Sequence, residues 1–496
     1  MAPLSATLET LQIQLDHVAQ HHAGKATKLP VFCKMPSDLL TPVSAFLKLT
    51  NGAMDPYSFL FESVEGGENQ SRYSFLGSRP IQHLRALPDQ DPLRPLEALM
   101  AELHYEAVPE LPFFLGGAVG YLSYDCVRFF EPRVGAAQTQ LKDTLGLADS
   151  FFMICDAVVV FDHVFQQLYV VDHYDSQRGA ANSPEAEYAR VRDSIYRRVE
   201  QLFSPEQPLP VQPRCTTIHP GTSNVGREGY VQFVRDLKHY ITEGDIIQAV
   251  PSQRIVKPTQ LHPFNAYRAL RRKNPSPYMF YMAGDDYQIV GASPEALVKV
   301  EQGKVTTHPI AGTRRRGKTP AEDQALEEEL LADPKERSEH IMLVDLGRND
   351  INRICQPATV KVDSLMHIER YSHVMHIVSH VSGQLRPECT AFDAVRSIFP
   401  AGTVSGAPKV RAMELIYQLE KEKRGIYAGA VGYFSYTGDV DTCIAIRTML
   451  FKDGNVYLQA GGGIVHDSVE EDEYIETINK LGSNVAALDE AERSFA

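Results

Sequence analysis

Apolar positions recur along this chain with two different periods, and the switches between them mark its elements. Spacings of three and four predict helices over 5–21, over 42–49 with Asn51-Gly52 closing it, and over 183–203 behind Ser183-Pro184. Alternation predicts strands over 31–34, 57–63 (running into ESVEGG) and 72–76. From Phe113 to Asp172 the pattern is strand-rich: FFLGGAVGYLSYD, FMICDAVVVFD and QLYVVD. Residues 204–224 carry five prolines and few large apolar side chains, which predicts a linker between domains at 1–203 and 225–496. Beyond it, helices are expected over 227–242, 263–272, 320–331 and 407–420. Strands are expected over 246–250, through Val300, and over 303–309, 372–385, 427–436, 441–450 and 456–459, with a final helix from about Val469.

Two details of the pattern carry further. Gly117–Tyr124 reads GAVGYLSY and Gly429–Tyr436 reads GAVGYFSY, as two strands at equivalent places in two related sheets would. After Asp333-Pro334, which closes the preceding segment, Ile341, Met342, Val344 and Leu346 define one face of a helix beginning at Ser338 or Glu339. Glu336 and Glu339, three apart, lie on one side of a continuous helix, and EEDEYIETINK repeats that spacing with Glu473 and Glu476. Two such pairs suit one hard divalent cation such as Mg²⁺; taken singly, each reads as a solvated acidic helix face.

Composition narrows the field. The chain has 496 residues, 43% hydrophobic and 23% charged, the balance of an ordinary globular protein. A net charge of −14 argues against nucleic acid as a partner. Arg314-Arg315-Arg316 and Arg271-Arg272-Lys273 read as solvated loops or helix ends. Seven cysteines without a C-x-x-C fit a reducing compartment and no zinc framework. No signal-like start and no apolar run long enough for a bilayer predict a cytoplasmic protein with no membrane partner.

The segments EGDIIQAVPSQR, PSPYMFY, GASPE, HPIAGTRRRG, ERSEHIMLVDLGRND, AGTVSGAPKVRAMELI, GAVGYFSY, DTCIAIRT and QAGGGIVHDS follow in that order. Together they closely resemble the chorismate-utilising enzymes, specifically the large (component I) subunit of anthranilate synthase. The likeness is dense over 225–485 and looser before it, through FLFESVEGGENQSRYSFLG. It implies a two-domain α+β fold with large antiparallel β-sheets in a sandwich flanked by helices, the site lying in the larger domain. It also implies formation of anthranilate and pyruvate from chorismate and ammonia, the first committed step toward tryptophan.

The same resemblance assigns residues. Glu295 in GASPE matches the general acid that protonates the departing hydroxyl, which requires a carboxyl pKa raised by burial. His376 matches the histidine of pyruvate elimination; among His367, His373, His376 and His380, only the resemblance selects it. Thr403 matches a site threonine, whose plainer role is a helix cap. Glu339 and Glu476 match direct Mg²⁺ ligands, with Glu336 and Glu473 reaching the ion directly or through water. Arg447, Tyr427, Gly461, Gly462 and Gly463 match contacts to chorismate on one wall, Gly312 and Thr313 on the other. Lys409, at a helix start, is a further candidate for substrate contact.

Ala311 stands where aminodeoxychorismate synthases place a lysine nucleophile, and Gln248 where isochorismate synthases place a base lysine. With neither, the anthranilate reading is preferred to an aminodeoxychorismate synthase or a catalytically inactive tryptophan-sensing module. No G-x-C-x-G elbow with a downstream His-x-Glu appears, so ammonia is expected from a separate glutamine amidotransferase subunit or from ammonium salts alone; the resemblance implies a heterotetramer of two large and two small subunits. Ser63, after Glu62, and Pro277, Tyr278 and Met279 resemble the pocket for tryptophan as inhibitor, with Pro277 and Met279 as apolar walls for the indole. The chain itself lacks tryptophan.

Overall fold

A computed structural model describes the chain apart from residues 1, 22–24, 65–71, 87–88, 110, 138–140 and 372–373. The ESVEGG turn and His373 therefore lie largely or wholly outside the described residues. The architecture is α+β, built on two large sheets whose strands are antiparallel except where Ala26–Pro36 meets Leu103–Tyr105. A twelve-stranded sheet runs from Thr222–Ser223 at one edge, through Tyr278–Ala283 and Ser58–Glu62, to Leu103–Tyr105 at the other. A ten-stranded sheet runs from Ile310–Arg315 through Val374–Gln384, Ala296–Glu301, Val440–Ile444 and Gly117–Leu122 to Gln82–Arg85, with Lys361–Arg370 paired to Val374–Gln384.

The sheets pack face to face with helices on both outer sides, and the strand sequences show why. Along Tyr278–Ala283 the alternate residues Phe280 and Met282 enter a core shared with Val119, Tyr121, Phe151 and Val431 of the other sheet. Met279, Tyr281 and Ala283 face the opposite way, joining Phe46, Phe264 and Leu488 of the covering helices. Strand Ser150–Cys155 behaves likewise, with Phe152 and Ile154 turned toward Val395, Ile398 and Met413. Strands buried on both faces read as continuous apolar runs, which is how these appear in the sequence.

Several expected boundaries shift. Both sheets take strands from either side of 204–224, so that segment parts two stretches of sequence while the sheets are shared between them. Residues 204–221 carry neither helix nor strand, yet they are pinned to the body. Gln212 Oε1 accepts hydrogen bonds from His262 N and Asn265 Nδ2, and Cys215 N donates to Phe495 O. The two GAVGY octets lie side by side in one sheet rather than in two, with Gly120 opposite Gly432. A Cβ on Gly432 would stand 2.1 Å from Asp441 O, and one on Gly120 1.9 Å from Phe151 O, so close strand approach requires both glycines.

The run 441–450 is two strands, Val440–Ile444 in one sheet and Thr448–Lys452 in the other. Ala445, Ile446 and Arg447 carry the chain across, Arg447 at φ +52°. Strand Lys361–Arg370 was not expected; its exposed edge dilutes the apolar alternation. Among the described residues no helix is long and apolar enough to cross a membrane.

Candidate active site

Two helices and three strand ends build the site. Helix Pro334–Asn352 starts four residues earlier than the apolar pattern suggests. Asp333 is its N-cap, accepting from Lys335 N at 2.9 Å and Glu336 N at 3.3 Å, with Pro334 in the first turn. The same Asp-Pro pair thus opens this helix as it ends the previous one, Pro320–Ala332. Glu336 and Glu339 lie in the first two turns of one helix, and Glu473 and Glu476 in those of the C-terminal helix Glu470–Ser494.

The four carboxylates differ in environment. Glu336 accepts from Arg314 Nη1 at 3.0 Å, so a basic residue expected in a solvated loop instead ties strand Ile310–Arg315 to this helix. Glu339 receives Gln248 Nε2 at 3.4 Å, and its carboxyl is pushed up by burial and by the neighbouring Glu336 and Glu476. Glu473 is buried, its Oε2 has no hydrogen-bond partner, and burial pushes its carboxyl up too. Glu476 is half exposed and paired with Lys480 Nζ at 2.6 Å. No three of them bring oxygens within 4.8 Å of one another, so they surround the site without closing on one point. The unpartnered Glu473 Oε2 and the Glu339 carboxylate, which has no ion pair within reach among the described residues, nevertheless fit a divalent hard ion.

Lys480 is the residue the sequence reading missed. It donates to Gly461 O at 3.0 Å and lies close enough to act electrostatically on Glu295, Glu339 and Glu473. Its position four residues after Glu476 on a helix was the available signal. Arg447 Nη1 donates to the backbone carbonyl of Lys480, and burial lowers the pKa of the Arg447 guanidinium. Tyr427 is buried with its hydroxyl beside Gly461, where an added Cβ would stand 3.1 Å from it. A Cβ on Gly462 would come 3.1 Å from Glu473 Oε2, and one on Gly463 2.3 Å from Gln248 Nε2. The glycine run thus passes directly over the acidic helix and Gln248, leaving its backbone approachable.

On the opposite wall Gly312 adopts φ +67°, and its missing Cβ would stand 3.0 Å from Glu336 Oε2. His376 Nδ1 lies 2.9 Å from Gly312 O and 3.1 Å from Thr313 Oγ1. A carbonyl only accepts, so Nδ1 carries the proton and Nε2 is the basic nitrogen. Burial lowers the His376 pKa, which keeps the ring neutral.

Glu295 is 8% exposed, and burial pushes its carboxyl up to about 8. Thr403 Oγ1 donates to Glu295 Oε1 at 2.9 Å, so its hydroxyl holds this carboxyl rather than capping a helix. Lys409 is tied to Asp350 Oδ2 and Ile398 O, two residues that line a small pocket together with Glu295 and Thr403.

A second feature is a cavity of about 640 Å³ between the sheets, bordered by Ser63, Pro277, Tyr278, Phe280, Tyr433 and Asp441 among others. Ser63 Oγ is buried with no hydrogen-bond partner. Tyr278 donates to Asp441 Oδ1 at 3.0 Å. Met279 borders the cavity, but its side chain packs in the outer core, so the apolar wall expected of it comes from Phe280 and Phe61 instead. Glu62 faces the helices, where Tyr267 and Arg271 hold it.

The chain is similar to known proteins over most of its length. A family model described as chorismate binding enzyme matches residues 57–486. The chain is 54% identical to a probable anthranilate synthase component 1 of Schizosaccharomyces pombe, over 97% of each chain. It is 51% identical to anthranilate synthase component 1 of Saccharomyces cerevisiae, over 96% of this chain and 95% of that one. Among solved structures, anthranilate synthase component I from Streptococcus pneumoniae superposes with a TM-score of 0.74 at 40% identity, covering 84% of this chain and 92% of that one. MenF, the menaquinone-specific isochorismate synthase from Escherichia coli, gives 0.71 at 20% identity over 97% and 100%, a likeness of fold alone.

Proposed function

The chain belongs to the family of chorismate binding enzymes, and from that membership we propose that it converts chorismate and ammonia to anthranilate and pyruvate. The observation that carries this reading is Glu295: a buried carboxyl raised to about 8 is protonated at neutral pH and able to give that proton to a departing hydroxyl. Thr403 holds its Oε1, which leaves the other oxygen to face substrate. Arg447, anchored by the Lys480 carbonyl, presents its remaining N–H groups to the carboxylate of the enolpyruvyl arm, with Tyr427 adding a hydroxyl donor. The amides of Gly461–Gly463 and of Gly312–Thr313 orient the anion from two sides. His376, neutral and unprotonated at Nε2, takes up the proton released as pyruvate leaves.

Glu339 and Glu476, with Glu336 and Glu473, are the residues that would hold Mg²⁺, which when bound supplies an orienting clamp and Lewis acid at the ring carboxylate. Ammonia needs no base to attack, in keeping with Gln248 and Ala311 at the positions where sister enzymes carry lysines. The relatives are named component 1, and a glutamine amidotransferase partner supplying that ammonia, in a two-by-two assembly, is the corresponding expectation. Feedback inhibition by tryptophan is assigned to the cavity between the sheets. There the unpartnered Ser63 hydroxyl offers a hydrogen bond, and Pro277 and Phe280 offer apolar surface.

The test is the purified chain with chorismate, magnesium and ammonium, with and without tryptophan, its product identified by fluorescence and mass. Anthranilate, suppressed by tryptophan, supports the reading. A para-substituted aminated product points instead to aminodeoxychorismate synthesis, and tryptophan binding without turnover to an inactive sensor.

A further inference from the structure

We propose that His367, Glu369 and His380 form a binding site for one zinc-class divalent metal ion, separate from the carboxylates of the two helices. His367 and Glu369 are two apart on strand Lys361–Arg370 and so point to one face, and His380 reaches the same face from the neighbouring strand Val374–Gln384. One ligand atom from each lies within 4.8 Å of the others. His367 Nε2 is 3.2 Å and His380 Nε2 3.6 Å from Glu369 Oε1. Ligands about 2.0–2.1 Å from a tetrahedral ion are separated by roughly 3.3 Å, so these spacings need little adjustment.

The surroundings prepare each ligand. His367 Nδ1 meets the Ser364 hydroxyl at 2.9 Å, which leaves Nε2 for an ion. Register shifts flank Ser364 and bring it within reach of that ring. Tyr371 donates to Glu369 Oε2 at 2.9 Å, which leaves Oε1 facing the histidines. His380 Nε2 is shielded from solvent and stands 3.6 Å from Glu369 Oε1, beyond an ordinary hydrogen bond. The His380 ring is held by stacking on His308, centroids 4.3 Å apart. Hydrogen bonds of this kind behind the ligands fix imidazole tautomers and raise metal affinity.

Two imidazoles and one carboxylate select zinc, cobalt or iron over magnesium, which prefers all-oxygen sites and keeps its water. Three protein ligands leave a fourth position open. Glu369 and His308 both border the cavity between the sheets, which supplies the way in.

The experiment uses the full-length chain, stripped with chelator and held in millimolar magnesium to occupy the all-oxygen carboxylates. Calorimetric titration with Zn²⁺ is expected to give one ion per chain. Co²⁺ is expected to give the visible absorption of a four- or five-coordinate ion. Both signals are expected to weaken about tenfold or more in His367→Gln and in His380→Gln. Zinc binding of unchanged affinity and stoichiometry in both variants, or no binding at micromolar Zn²⁺ by the unaltered chain, overturns the assignment. Should the glutamine variants fail to fold, His380→Cys keeps a ligand there and is expected to add a thiolate-to-cobalt charge-transfer band. Its absence in folded protein also overturns the assignment.

Discussion

The cleft between helices Pro334–Asn352 and Glu470–Ser494 and the cavity between the two sheets are built by opposite means. The cleft is charged: Glu339, Glu473 and Glu476 lie near Lys480, Arg447 lies near Glu476, and Glu295 is buried without a full counter-ion. The cavity is walled by rings such as Phe61, Phe75, Phe280 and Tyr433, with polar groups such as Asp441 and Glu369 at its border and the Ser63 hydroxyl unpartnered. In the first, the fold stores electrostatic mismatch for a substrate to relieve; in the second, it leaves space of a particular shape. One region is therefore suited to chemistry and the other to recognition, and changes in each should have different signatures.

The largest expected effect is in the cleft. Glu295→Gln should lower turnover by roughly 10²–10⁴ with little change in binding, because an amide cannot deliver the proton. Steady-state kinetics on chorismate and ammonium checks this, and a small loss would leave the cleft without its acid. Next, Arg447→Ala should reduce kcat/KM roughly tenfold to a hundredfold, chiefly through KM. Charge-assisted hydrogen bonds are worth about 1.5–3 kcal/mol.

The cavity should respond through regulation alone. Ser63→Ala should raise the tryptophan concentration for half-inhibition roughly fivefold, the worth of about 1 kcal/mol, with uninhibited turnover unchanged. A fall in uninhibited turnover would break the separation between the two regions.

The smallest effects are titrations. Activity should fall as pH rises through about 8, where Glu295 loses its proton, and Thr403→Val should move that limb to higher pH by removing a donor to the carboxylate. The linkage has a definite sign. Glu295's folded pKa lies above its ordinary value of 4.5, so the folded state holds the extra proton between 4.5 and about 8. Its contribution to stability is complete below 4.5 and lost as pH climbs toward 8. Thermal melts should therefore show wild type weakening relative to Glu295→Gln across that window.

The elements most legible in the sequence were those with local causes. The helix at Pro42–Leu49 and the start of Pro184–Phe203 behind the Ser183 cap lie where the pattern put them, because periodicity and capping act within a few residues. The candidate site residues come from motif resemblance, and the structure draws Glu295 to Thr403, His376 to Gly312 and Thr313, and Tyr427 to the glycine run. Lys480 was overlooked: its spacing puts it on the face of Glu476, but EEDEYIETINK does not say that Gly461 lies against that face. The crossing at Ala445–Arg447 was hidden as well, because the apolar pattern continues on both sides of it. Met279 shows the same limit: its strand is apolar throughout, so only packing decides that Phe280 rather than Met279 walls the cavity.

Taken alone, the sequence determined the periods, the caps and the kinds of side chain available for chemistry, all of which depend on near neighbours along the chain. The tertiary structure alone decided that both sheets draw on both halves of the chain, that Gly120 meets Gly432, and that Glu295 is buried. Those outcomes rest on contacts between residues tens to hundreds of positions apart. Burial of that origin, rather than the glutamate itself, turns an ordinary carboxyl into an acid for neutral pH.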